Sequence, residues 1–111
     1  MEFDRVYIVT TVPEPDLETV LDAISGAGGG IIGHYTHCAF TNAGVGRFKP
    51  GDAADPHTGS VGQINAEPEW RIETFCDRAL ASAVVAAIRR AHPYEEPVIY
   101  ILPLLDPDRL A

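Results

Sequence analysis

Basic residues are scarce. Eight Lys and Arg stand against sixteen Asp and Glu, a formal net charge of -8 over 111 residues. Binding to a phosphate backbone needs clustered Lys and Arg, so this balance speaks against nucleic acid. It speaks equally against an anionic membrane surface. A cationic or metal partner stays open. Long apolar runs are also missing, and none approaches the length that spans a bilayer. The start of the sequence has acidic residues, Glu2 and Asp4, where a secretory signal would be basic. Cysteine is limited to Cys38 and Cys76, which form neither a CxxC pair nor a disulfide framework. Cytoplasmic residence with reduced thiols is the expectation, although a single bridge between the two is compatible with their number. No Walker, Rossmann or nucleophile-elbow pattern is present, and no solenoid-length repeat.

What is present suits one domain over residues 1–111, with 46% hydrophobic residues to build a modest core. "RVYIVTTV" (5–12) alternates and is rich in β-branched residues, which predicts a strand. Val6, Ile8, Thr10 and Val12 fall on one face, Tyr7 and Val9 on the other. Leu17, Val20, Leu21 and Ile24 then repeat at helical spacing, with Pro15 near the start and Gly26 at the stop. "GGIIGHYTHCAFTN" (29–42) predicts a second strand, and residues 43–67 a long Gly/Pro-rich loop, functional or contacting a neighbouring subunit. "EWRIETFC" (69–76) alternates again, with Trp70, Ile72, Thr74 and Cys76 opposite a wet or interfacial side of Glu69, Arg71 and Glu73. A second helix follows over 77–92, capped by Asp77, with Leu80, Val84, Ile88 and Ala91 as its stripe. "PVIYILPL" (97–104) predicts the last strand.

The order β-α-β-β-α-β implies an α+β ferredoxin-like sandwich: a four-stranded antiparallel sheet with both helices on one face. The other face carries Tyr7, Val9 and Phe75, too apolar for water, which predicts a homo-oligomer.

Three clusters are candidates for chemistry. In "HPYEEP" (92–97), Pro93 and Pro97 stiffen a corner, since the residue before a proline is driven out of the helical region. His92 at a helix C-terminus is expected to favour its charged form and to pair with Glu95 or Glu96. The corner then either holds a metal or cationic ligand or serves as a salt-bridged structural bend. In "HYTHC" (34–38), strand alternation would put His34 and Cys38 on one face and His37 on the other. A metal site there would need further ligands from elsewhere, such as His57 or a neighbour. The candidate metal ligands are His34, His37, His57, His92 and Glu95. The loop adds Arg47 and Phe48, which with His92, Tyr94, Glu95 and Glu96 form the expected ligand or interface cluster. No catalytic residue is identifiable: adjacent Glu95 and Glu96 point apart, and no third group orients Cys38.

"GAGGGIIGHYTHCAF", "GVGRFKPGDAADPHTGSVGQ", "EWRIETFC" and "AHPYEEPVIYILPL" resemble the insertion domain of the dimetal-binding NGG-interacting-factor-three-like proteins, the GTP cyclohydrolase I type 2 homologues. The resemblance runs over residues 4–104. It implies a ferredoxin-like fold of the CutA and PII kind and a trimer with ligand sites in clefts between subunits, the "HPYEEP" corner of one facing a neighbour's loop. In PII-like proteins the connection between the second and third strands binds partners and ligands. The family's two-metal site sits on flanking domains with no counterpart in these residues, so a dimetal hydrolase activity is not carried over. His34 also departs from the asparagine usual after the "IG" turn. The resulting expectation is a stand-alone, non-enzymatic module that binds a divalent metal, a small effector or a protein partner. The alternatives are a small metal-dependent hydrolase and a purely structural oligomerisation module.

Overall fold

The computed structural model describes residues 3–110. Strand β1 (Arg5–Val12) leads through a 3-10 turn (Glu14–Asp16) into helix α1 (Leu17–Gly26). Strands β2 (Phe40–Phe48) and β3 (Asn65–Asp77) follow. A second 3-10 turn (Arg78–Leu80) opens helix α2 (Ala81–Ala91), and β4 (Ile99–Leu104) closes the sheet. The strands are antiparallel in the order β2-β3-β1-β4. Both helices contribute to one core, where Val20, Ile24, Val84 and Ile88 pack with Val6, Ile8, Val12, Ile72 and Cys76 of β1 and β3. This is the ferredoxin-like architecture the alternation predicts. No helix among the described residues is long and apolar enough to cross a membrane.

The register explains the two faces of the sheet. Val6, Ile8, Thr10 and Val12 pair with Cys76, Thr74, Ile72 and Trp70, so both helix-facing rows coincide. The same pairing stacks the opposite rows. Tyr7 lies between Phe75 and Leu102, and Val9 lies between Glu73 and Tyr100. Phe40 of β2 stands beside Glu73 on that face. On this side Phe40, Tyr100 and Leu102 remain more than half exposed.

Four expectations are corrected. The second strand covers 40–48 rather than 29–42, and the connection to β3 shrinks from 43–67 to 49–64. Gly30, Gly33 and His37 adopt positive φ, which a continuous strand does not allow. Ile32 and Tyr35 instead exchange backbone hydrogen bonds across a tight turn at Gly33 and His34. The face sharing of His34 with Cys38 is therefore lost. Lastly, the Asp77 side chain makes no capping hydrogen bond; α2 is entered through the 3-10 turn. Both cysteines are free, and burial, with the Asp77 charge next, pushes the Cys76 thiol up.

Candidate functional site

The "HPYEEP" corner owes its shape to Pro93. Helix α2 ends at Ala91, and His92 is extended (φ -81, ψ 136) while its N–H still donates to the Ile88 carbonyl. The turn folds the imidazole inward, leaving it 6% exposed. The Tyr94 amide N–H can only donate, and it lies 3.1 Å from His92 Nδ1. The Thr11 carbonyl can only accept, and it lies 2.6 Å from Nε2. The proton therefore sits on Nε2, and the ring is neutral. Burial lowers its pKa; the Thr11 carbonyl and the Glu69 charge oppose this and lose. The expected protonated His92 paired to a glutamate is thus corrected, because desolvation outweighs the helix terminus. Glu95 instead accepts the Asp55 amide N–H at 2.9 Å, tying the corner to the chain's own loop.

This neutral histidine has a measurable signature. A folded-state pKa below the unfolded value of about 6.5 means that the unfolded chain binds more protons as pH falls. The stability it contributes is complete above that value and is lost as pH falls through the folded pKa. The urea midpoint is expected to drop between about pH 7 and about pH 5, with a smaller drop in His92→Gln. Parallel curves for the two proteins would refute the assignment.

Tyr94 projects the other way, towards the open face of the sheet. Its hydroxyl donates to Glu69 Oε2 at 2.8 Å. Burial, then this bond and the carboxylate charge, push the Tyr94 hydroxyl up to about 12. Its ring lies 6.3 Å from Phe48 and 6.1 Å from His57, with His92 behind it at 4.9 Å. Glu69 is 7% exposed although it belongs to the side of β3 expected to be wet. Its position in the pairing gives the reason. Glu69 lies opposite Gly44, next along from Gly46, so bare backbone forms its bed. A Cβ on Gly46 would come within 2.3 Å of Glu69 Oε1, so that close approach requires glycine.

These groups enclose a cavity of about 660 Å³ at the β2–β3 end of the open face. Tyr94, Phe48, Val98 and Tyr100 supply apolar surface, the loop around Pro50–Thr58 lies along it, and Glu69 lines it as well. Of the expected ligand or interface cluster, Arg47, Phe48, Tyr94, Glu95 and Glu96 all line this cavity. His92 does not line it but backs Tyr94. Of the expected metal ligands, His57 and Glu95 also line it. His37 borders a separate hollow of about 230 Å³ with Cys38, Asp22 and Glu18, and His34 borders neither. Among the described residues no three His, Cys, Asp or Glu gather to hold a metal ion. Glu69 escaped the sequence reading because alternation reports only which face a residue takes, not what lies across the strand.

No protein-family model matches the chain. It is 43% identical over 93 residues to a "GTP cyclohydrolase 1 type 2 homolog" of Bacillus subtilis, covering 84% of this chain and 25% of that protein. The same-named protein of Mycobacterium tuberculosis is 42% identical over 99 residues, covering 89% of this chain and 26% of that one. The chain thus spans about a quarter of the length of the curated relatives it matches. A Bacillus cereus protein related to NIF3 superposes with a TM-score of 0.82 at 36% identity, over 94% of this chain and 26% of that one. The stable protein CutA1 from Shewanella sp. SIB1 superposes at 0.70 and 17% identity, over 96% of this chain and 86% of that one, a likeness of fold.

Proposed function

Because the chain is a relative of one segment of the NIF3-related GTP cyclohydrolase 1 type 2 homologues, we propose that it is a CutA-like binding module that takes a small effector in the cavity beside Glu69. The observation that carries this reading is the cavity itself. It is lined by aromatic side chains and holds a nearly buried carboxylate, which is the composition of a small-molecule site. Binding fits better than catalysis because two candidate proton-transfer groups, His92 and Tyr94, are committed. Both His92 nitrogens are engaged, and the Tyr94 hydroxyl keeps its proton at neutral pH.

The module acts as a homo-oligomer, a trimer by resemblance, in the cytoplasm. Support comes from the uncovered sheet face, where Phe40, Tyr100 and Leu102 form an apolar surface of the kind that associates. Light scattering with native mass spectrometry, before and after chelation, tests this. The expected result is three chains at tens of micromolar, with assembly unaffected by chelation. Leu102→Glu would place a charge in the covered face and is expected to yield monomer. A monomeric wild type would end the oligomer reading, and an assembly lost on chelation would restore the metal.

A further inference from the structure

The proposed effector site has an imbalance that identifies its ligand. A carboxylate removed from water is costly unless it is paired or well hydrogen-bonded. Glu69 is 7% exposed, yet among the described residues its hydrogen-bond partner is the Tyr94 hydroxyl alone, on Oε2. Arg71, on the same side of β3, is paired with Glu73, and no cation stands within ion-pair distance of Glu69 among the described residues. Its second oxygen, Oε1, has no hydrogen-bond partner among the described residues and is not sealed from the cavity. A carboxylate has about four lone-pair positions on its two oxygens, so accepting capacity remains.

The space beside Oε1 has a definite form. Gly44 lies directly opposite Glu69, and a Cβ built there meets nothing within 4 Å. The carboxylate itself packs on Gly46, where a Cβ would lie 2.3 Å from Oε1, and the open backbone begins beyond it at Gly44. Phe48, Tyr94 and His57 bring ring surface to the cavity, and ring faces attract cations. A hard divalent ion would need six or more oxygen ligands, and among the described residues no three acidic, histidine or cysteine side chains come close enough to hold one. Arg47, Lys49 and Arg71 also line the cavity, but none is within ion-pair distance of Glu69 among the described residues, so an anion placed at Oε1 would meet the carboxylate directly.

Resting on the effector reading above, we infer that the cavity takes a small organic cation with a flat apolar body, an amidinium or guanidinium carried on a ring or short chain. The charged end donates N–H to Glu69 Oε1 across the bare Gly44 floor. The body lies among Tyr94, Phe48 and His57.

The test uses three probes of nearly one shape: benzamidine (cationic), benzamide (neutral) and benzoate (anionic). Amide chemical shifts of the full chain are followed by NMR, in the wild type and in Glu69→Gln. The glutamine keeps an oxygen for the Tyr94 hydroxyl but removes the charge. Benzamidine is expected to shift the Thr11, Gly44 and Gly46 amides and to bind at least about tenfold tighter than benzamide, as a charge-assisted hydrogen bond implies. That preference is expected to vanish in Glu69→Gln. Equal binding of benzamidine and benzamide, or a preference that survives Glu69→Gln, overturns the cation assignment and leaves the effector reading standing. If none of the three probes shifts the cavity amides, both fall.

Discussion

Replacing His92 with alanine is expected to destabilise the protein by about 2–4 kcal/mol, with no change in metal content. The loss has two parts. The Thr11 carbonyl and the Tyr94 amide each lose their imidazole partner at a buried site. An unsatisfied buried polar group costs about 1–3 kcal/mol, and the vacated ring leaves a hole behind Tyr94. Small domains have roughly 5–15 kcal/mol in total, so the effect is large. Urea unfolding with metal analysis of the same samples checks it. A variant of unchanged midpoint that has lost a bound metal would reverse the account and make His92 a ligand.

Gly30→Ala is expected to cost about 3 kcal/mol, lowering the melting temperature by roughly 10–20 °C. Gly30 has φ +71, and an alanine Cβ would stand 2.6 Å from the Cys38 carbonyl oxygen and 3.0 Å from its amide nitrogen. Those are backbone atoms, which no rotamer change can move. They also belong to a small lattice that ties the 28–39 segment to β3. The Gly30 N–H donates to the Phe75 carbonyl, the Cys38 N–H donates to the Gly30 carbonyl, and the Thr74 hydroxyl donates to the Cys38 carbonyl. Gly33 is the control. Its φ is +54, but a Cβ there meets nothing within 4 Å. Gly33→Ala should therefore cost only the backbone strain, about 1 kcal/mol. Equal losses at the two positions would show that crowding at Cys38 is not the cause.

The candidate site was half legible. The corner was visible because two prolines four residues apart restrict the backbone whatever surrounds them. The residues gathered around it, Arg47, Phe48, Tyr94, Glu95 and Glu96, line one cavity. The chemistry at its centre was not visible. Glu69 reads as a solvated strand residue until Gly44 and Gly46 are laid across from it. His92 reads as a charged helix terminus until Thr11, far away in sequence, closes over it. The second strand was displaced for a related reason. "FTNAGVGRF" is poor in the apolar alternation that marks a strand, and it is held in the sheet by pairing with β3 along a single edge.

β1, both helices, the last strand and the ferredoxin-like order were legible along the chain. Each rests on a local signal: alternation, an apolar helical stripe, or a proline or glycine boundary. Alternation also placed Tyr7, Val9 and Phe75 together on the sheet face opposite the helices. The protonation of His92, the burial of Glu69 and the place of β2 were not legible in the sequence. These depend on groups brought together across strands and turns, and desolvation and hydrogen bonding at such places are set by neighbours in space rather than along the chain.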